Sequence, residues 1–185
     1  MATRKIAVIV GSLRKESFNR KVCKTLMLLA PPTLELEFVE IGQLSLFNQD
    51  EEANPPANYV EFRNKIKEFD GVLFATPEYN RSVPGCLKNA LDVGSRPYGA
   101  SVWNGKPAAV ISVTPGAVGG FGANHHLRQA LTFLNVPTLQ QPEAYIGGAG
   151  DMFDAAGGFA KPATAEFMGK FLAAFLSWIE HNKAA

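Results

Sequence analysis

Ile6-Ala7-Val8-Ile9-Val10-Gly11-Ser12-Leu13-Arg14-Lys15-Glu16-Ser17-Phe18-Asn19 decides the fold. Its first five residues are a continuous apolar run rich in β-branched side chains, ended by Gly11. Such a run suits a strand buried on both faces, as in a parallel sheet. From Phe18 to Ala30, apolar residues recur at Val22, Leu26 and Leu29, which is helical spacing, and Pro31-Pro32 stops the helix. Between strand and helix lies a short loop of small, hydroxyl, amide and cationic residues.

The same unit repeats outward from this stretch. Leu34 to Ile41 alternates as a strand with one polar face; Gly42 to Asn58 reads as a loop, and Tyr59 to Phe69 as an amphipathic helix. Gly71 to Thr76 is a third, wholly apolar strand closed by Pro77. A helix over Val83–Val93 follows, with Pro84 in its first turn, where a missing N–H costs little. Ala108 to Val113 is a fourth strand, Asn124 to Leu134 a helix, and Pro137 to Ile146 holds a fifth strand. Gly147 to Gly158 is flexible by composition. Lys161 to His181 is a long closing helix with Phe167, Phe171, Phe175 and Trp178 expected on one face. Strict alternation of strand and helix implies an α/β fold: a parallel sheet with helices on both faces. No repeat, low-complexity segment or linker interrupts it, so residues 1–185 read as a single domain.

Composition narrows the function. The chain has 185 residues, 46% hydrophobic and 19% charged, which is ordinary globular usage. Eighteen Lys and Arg against 17 Asp and Glu give a net charge of +1, without the basic footprint of a nucleic-acid or anionic-membrane binder. No apolar run reaches the roughly 18 residues of a membrane span, and the N-terminus does not read as a signal peptide. The expectation is a cytoplasmic protein with no nucleic-acid or membrane partner. Cys23 and Cys86 have neither metal-type nor disulfide spacing and are expected to be buried, inert thiols. His125 and His126 are adjacent, so they do not share a helix face as a metal pair would; a subunit contact suits them better. No metal site and no Ser–His–Asp set can be assembled. Asp70 and Asp92 are expected to be structural.

In an open parallel sheet, ligands bind beyond the C-terminal strand ends, near the point where strand order reverses. The segments following strands one, three and four should therefore converge. In the first, Gly11 permits a tight turn, Ser12, Ser17 and Asn19 offer hydrogen bonds, and Arg14 offers charge-assisted ones. All precede a helix N-terminus, whose free N–H groups favour an anion. Together they describe a site sized for one phosphate; capping by Ser17 explains only one of the hydroxyls. The loop is neither G-x-G-x-x-G nor G-x-x-x-x-G-K-[ST], which excludes the usual dinucleotide and nucleoside-triphosphate fingerprints. The second segment, Pro77-Glu78-Tyr79-Asn80-Arg81-Ser82, offers an aromatic face and backbone donors for a flat heterocycle. The third, Ser112-Val113-Thr114-Pro115-Gly116-Ala117-Val118-Gly119-Gly120, lets a ligand approach the backbone, or is simply a long loop.

Gly11-Ser12-Leu13-Arg14-x-x-Ser17-x-Asn19 and Pro77-Glu78-Tyr79-Asn80-x-Ser82-x-Pro84-Gly85-x-Leu87-Lys88-Asn89-Ala90-x-Asp92 together resemble the NADPH-dependent FMN reductases, a family that includes bacterial chromate and quinone reductases and azoreductase-like enzymes. The resemblance runs to about Ile146. It implies a flavodoxin-like three-layer sandwich with a five-stranded parallel sheet of order 2-1-3-4-5. It places the FMN phosphate on Gly11, Ser12, Arg14, Ser17 and Asn19. The isoalloxazine would lie against Pro77, Glu78, Tyr79, Asn80 and Ser82, with Ser112, Thr114 and Gly116 on its other border. It also implies NADPH or NADH as electron donor, with Arg81 and Arg96 as candidates for a 2′-phosphate. Small acceptors (a quinone, a flavin, an azo compound or chromate) would be reduced by a ping-pong mechanism in a homodimer or homotetramer. No side chain is nominated as catalytic acid or base, because the cofactor carries the chemistry. Val93 departs from the family, many members of which carry an aromatic there. A flavodoxin-type electron carrier is the alternative, although such carriers are typically strongly acidic; a regulatory module binding another phosphorylated ligand is a second.

Overall fold

The computed structural model describes residues 2–182; Met1 and residues 183–185 of the expected 1–185 domain lie outside the described residues. Five strands form a parallel sheet of order β2-β1-β3-β4-β5, as expected: β1 (Arg4–Val10), β2 (Leu34–Phe38), β3 (Gly71–Thr76), β4 (Ala108–Val113) and β5 (Ala144–Ile146). β1 is an interior strand, with Ile6 level with Leu36 on one side and Gly71 on the other. All residues of β3 and β4 are buried, which is why these runs show no polar alternation.

Alternate strand residues face two apolar layers. Ile6, Val8, Leu73 and Ile111 pack with Val22 and Leu26 of α1 (Phe18–Leu29) and with Phe171 and Phe175 of α5 (Pro162–Asn182). Ala7, Ile9, Phe74 and Val110 pack with Tyr59 and Phe62 of α2 (Ala57–Lys67), Leu87 and Leu91 of α3 (Gly85–Gly94), and Leu127 of α4 (Phe121–Phe133). Trp103 completes the second layer; it is 1% exposed and its indole N–H donates to Leu91 O at 2.9 Å. Each fully buried side chain of this size contributes about 1.5–3 kcal/mol. Val93 is fully buried, and its carbonyl accepts from Arg63 Nε at 2.8 Å.

Several boundaries differ from the sequence reading. β2 ends at Phe38, because its partner residues on β1 end at Val8, although the alternation continues to Ile41. β5 has only three residues. α4 starts at Phe121, three residues before the expected Asn124. On α5 the buried stripe is Met168, Phe171, Leu172, Phe175 and Ile179; Phe167 is 36% exposed, and Trp178 is half-buried at the edge, donating to Pro137 O at 2.8 Å. Asp70 and Asp92 are structural as expected: Asp70 Oδ2 accepts from Lys5 N at 2.8 Å, and Asp92 pairs with Lys88 at 2.8 Å.

β1 sits where strand order reverses, with α1 on one face of the sheet and α3 on the other. The loops leaving β1 and β3 therefore part around a crevice at the C-terminal strand ends, the usual ligand position in such sheets.

Candidate functional site

The first loop leaves the sheet at Gly11, whose N–H donates to Ala75 O of β3 at 2.8 Å. Ser17 is the N-cap of α1, its hydroxyl accepting from Arg20 N at 3.2 Å. The capping role is thus real, and it leaves the hydroxyl proton free to donate. Phe18 N and Asn19 N have no partner among the described residues, as the first turn of a helix requires. Ser12 is 8% exposed and its hydroxyl makes no bond among the described residues. Arg14 is exposed and forms no ion pair among them. Asn19 is buried: its amide donates to Val113 O at 3.0 Å, tying α1 to the end of β4, while Oδ1 is buried without a partner. The loop thus retains unpaired donors and one orphaned acceptor. That pattern fits a ligand that carries both anionic oxygens and hydroxyls.

The second segment is a tight turn. Tyr79 N donates to Ser82 O, and Ser82 N to Tyr79 O, both at 3.0 Å. Asn80 and Arg81 have φ of 51° and 63°, so both central residues are left-handed, the mark of a type I′ turn. Asn tolerates this conformation; Arg does so at a cost. The N–H groups of Glu78, Asn80 and Arg81 have no partner among the described residues. Side chains, by contrast, are engaged. Glu78 Oε2 accepts from Ala123 N at 2.9 Å, Glu78 Oε1 pairs with Arg81 Nη1 at 3.0 Å, and Ser82 Oγ lies 2.8 Å from His126 Nδ1. Pro77 O accepts from the Thr76 hydroxyl at 2.7 Å. Tyr79 is 48% exposed.

The two segments share a cavity of about 430 Å³ lined by Gly11, Leu13, Arg14, Tyr79, Pro84, Gly85 and Cys86. Its volume is in the range of small-molecule sites. A larger cleft of about 670 Å³, near Arg128 and Trp178, touches none of the three segments. Cys86 corrects the expectation of a buried thiol: it is half-exposed, lines the cavity, and its Sγ lies 3.5 Å from Gly11 O. Burial still raises its pKa. Cys23 is fully buried as expected, with its thiol pushed up to about 12 by desolvation.

The third segment is mostly self-engaged. Ser112 is fully buried; its hydroxyl donates to Gly119 O at 2.7 Å and accepts from Asn124 Nδ2 at 3.2 Å. A ligand cannot reach it, so Ser112 does not border the site. Gly119 and Gly120 have φ of 65° and 74°, and a Cβ at Gly119 would stand 2.7 Å from Tyr145 C. These glycines turn the chain against β5 and do not admit a ligand. Thr114 is half-buried, its hydroxyl donating to Gly116 O at 3.2 Å, and Gly116 is exposed. Neither lines the cavity.

Two cations separate. Arg81 is on the turn with its side chain 78% exposed. Arg96 follows the C-terminal end of α3 and is paired with Glu52, away from the cavity. Sequence reasoning singled out His126 only for a subunit contact; it missed the bond of His126 to Ser82 and the capping role of Glu78. It also missed the aromatic group of Phe121, His125 and Tyr145, in which His125 Nε2 lies 2.8 Å from Tyr145 Oη. Burial, aided by Glu143, pushes the Tyr145 phenol up to about 12. Among the described residues no group of three or more His, Cys, Asp or Glu is placed to hold a metal ion, and no helix is long and apolar enough to cross a membrane.

Comparison with known proteins gives a consistent result. The chain is 58% identical over 180 residues to a quinone reductase of Pseudomonas putida strain KT2440, covering 97% of this chain and 96% of that protein. It is 42% identical over 179 residues to a 2-hydroxy-1,4-benzoquinone reductase of a Burkholderia species, covering 97% and 98%. Among solved structures it matches FerB, a flavoenzyme NAD(P)H:(acceptor) oxidoreductase of Paracoccus denitrificans. The TM-score is 0.93 and the identity 41%, over 98% of this chain and 100% of that one. The family model for NADPH-dependent FMN reductase matches residues 4–151. With its flavodoxin-like sheet and its paired loops at the strand ends, the chain belongs to the NADPH-dependent FMN reductase family, enzymes that use FMN and NAD(P)H.

Proposed function

We propose that FMN lies across the crevice between the loop 11–19 and the turn 77–82, and that this enzyme reduces quinones there. The carrying observation is that both segments contribute lining to one cavity and both keep polar groups without partners among the described residues, groups that differ in kind. Ser12, Ser17 and the unpaired N–H groups of Phe18 and Asn19 would receive a phosphate, with Arg14 adding charge-assisted bonds. Asn19 would serve the same end with its second amide proton, and its orphaned Oδ1 would accept from a hydroxyl. Pro77, Glu78, Tyr79, Asn80 and Ser82 would form the frame for the ring, contributing the N–H groups of 78, 80 and 81 and the Tyr79 face. Thr114 and Gly116 would border its other side.

FMN, when bound, supplies the two-electron chemistry between NAD(P)H and the acceptor. The chain's residues bind and orient; backbone N–H groups of the turn would favour negative charge on the ring, and no side chain acts as acid or base. Donor and acceptor would use the open side of the cavity in turn, which gives ping-pong kinetics. Quinones are the favoured acceptors, because proteins 58% and 42% identical to this chain carry quinone reductase names. Flavins, azo compounds and chromate would be tested as secondary acceptors. Arg81 is the candidate for a 2′-phosphate. A homodimer or homotetramer is supported by the exposure of Leu46, Tyr98 and Phe133, at 81%, 91% and 91%. A cytoplasmic setting is supported by two unpaired cysteines.

The test is a visible spectrum of purified protein before and after anaerobic NADPH, followed by a benzoquinone. Bleaching by NADPH and recovery with quinone is the expected result. A spectrum that NADPH leaves unbleached supports an electron carrier instead. Absence of flavin, even after addition of FMN, overturns the reading.

A further inference from the structure

We infer that His126, which does not line the cavity, is a positioning residue for the turn that frames the flavin ring; the inference rests on the FMN site proposed above. The turn is costly by itself. Asn80 and Arg81 both sit at positive φ, and neither is glycine. Conformations of this kind persist only where the surroundings over-determine them.

The surroundings here are α4. The residue before the turn and the residue that closes it are both anchored to that helix. Glu78 Oε2 accepts from Ala123 N at 2.9 Å, and Ser82 Oγ bonds His126 Nδ1 at 2.8 Å. Ala123 and His126 are three residues apart, hence neighbours on one helix face. The Glu78 anchor requires Gly122, since a Cβ there would stand 2.8 Å from Glu78 Oε2. The Ser82 anchor requires the imidazole. His126 is exposed, and its ring could lie in water; it reaches back to the turn instead. α4 therefore acts as a strut with two footholds. The groups it holds in place are the unpaired N–H groups of Glu78, Asn80 and Arg81, the ones the ring would meet. Removing the second foothold lets Ser82 and the left-handed pair relax, which moves those donors without touching the phosphate loop.

The test uses the full chain stripped of flavin and then titrated with FMN, with wild type, His126→Ala, His126→Asn and Ser82→Ala. Asn places an amide oxygen near the Nδ1 position. One lost hydrogen bond of this kind predicts an affinity for FMN about threefold to tenfold weaker in His126→Ala. The visible absorption and circular dichroism of the bound flavin should shift, and its midpoint potential should change. His126→Asn should restore all three. Ser82→Ala should match His126→Ala, and the double variant should be no worse than either. If His126→Ala lowers thermal stability but leaves affinity, spectrum and potential unchanged, the bond is merely structural and the inference fails. Should that variant not fold, Ser82→Ala decides by the same readouts. A wild type that binds no FMN removes the underlying site reading as well, an outcome distinct from normal binding with insensitive variants.

Discussion

The loop 11–19 and the turn 77–82 flank one cavity, yet they are built in opposite ways. The loop has a helix entry with polar side chains left over among the described residues: Arg14 without an ion pair, Ser12 unbonded, Asn19 Oδ1 orphaned. In the turn the side chains of Glu78, Arg81 and Ser82 are engaged, two residues are in left-handed conformation, and the N–H groups of Glu78, Asn80 and Arg81 have no partner among the described residues. The difference matches two kinds of ligand surface. A compact anion is best met by flexible charged and hydroxyl side chains at a helix N-terminus. A flat ring needs donors at fixed places, which only a braced backbone provides. The two regions should therefore respond differently to mutation: the loop chiefly through affinity, the turn also through stability and the electronic state of the ring.

The loop is the easier to break. Arg14→Ala should weaken FMN binding by about 1.5–3 kcal/mol, the range for a hydrogen bond to a charged group. The stability of the flavin-free protein should hardly move, because Arg14 is exposed and has no ion pair among the described residues. Fluorescence titration with FMN and urea unfolding of the flavin-free form measure the two effects. An unchanged affinity would remove Arg14 from the site. Glu78→Ala should show the reverse. It strips the N-terminus of α4 of its only side-chain cap among the described residues, since the N-cap position itself is Gly120. A loss of about 1–2 kcal/mol in urea unfolding follows, together with an altered spectrum of bound flavin. A stable variant with a normal spectrum would mean that α4 does not brace the turn.

This contrast also marks what the sequence could reveal. The sheet was legible because buried parallel strands such as Val72–Ala75 must be apolar throughout, and the loop at 11–19 was legible because its polar residues lie side by side before a helix. The turn's bracing was not. The cap of α4 comes from Glu78, 45 residues from Ala123, so Gly119-Gly120 looked like a flexible loop and the helix start was placed late. Ser112 was misassigned for the same reason: nothing local tells a hydroxyl facing a ligand from one tied to Gly119 O and Asn124. Cys86 was read as buried because its neighbours are apolar, whereas it lies on the rim where α3 meets the first loop.

Smaller effects sharpen the comparison. Ser17→Ala removes the cap of α1 and one donor at once. It should cost about 1 kcal/mol of stability in the flavin-free protein, with a further loss in FMN affinity. It is the one loop substitution expected to appear in both measurements. Stability falling with affinity unchanged would reduce Ser17 to a cap.

Arg81→Gly should have the smallest effect on stability and the clearest meaning. A left-handed conformation costs an ordinary residue roughly 1–2 kcal/mol and glycine almost nothing. Against that relief stand about 0.5–1 kcal/mol of added chain entropy in the unfolded state and the pair with Glu78. The Arg81 side chain is 78% exposed, so that pair contributes about 0–1 kcal/mol. Mid-range values nearly cancel, the extremes running from about 1 kcal/mol against glycine to about 1.5 kcal/mol in its favour, and urea unfolding should show a change close to zero. Glycine keeps the positive φ, so the turn, its N–H groups and FMN affinity should persist. What disappears is one exposed guanidinium on the turn. If that group meets the 2′-phosphate, KM for NADPH should rise severalfold while KM for NADH stays constant. Unchanged preference would exclude Arg81. Arg96 would not replace it: it pairs with Glu52 beyond the far end of α3, a helix of ten residues and so about 15 Å long. Selectivity would then have to come from Arg14 or from outside this chain.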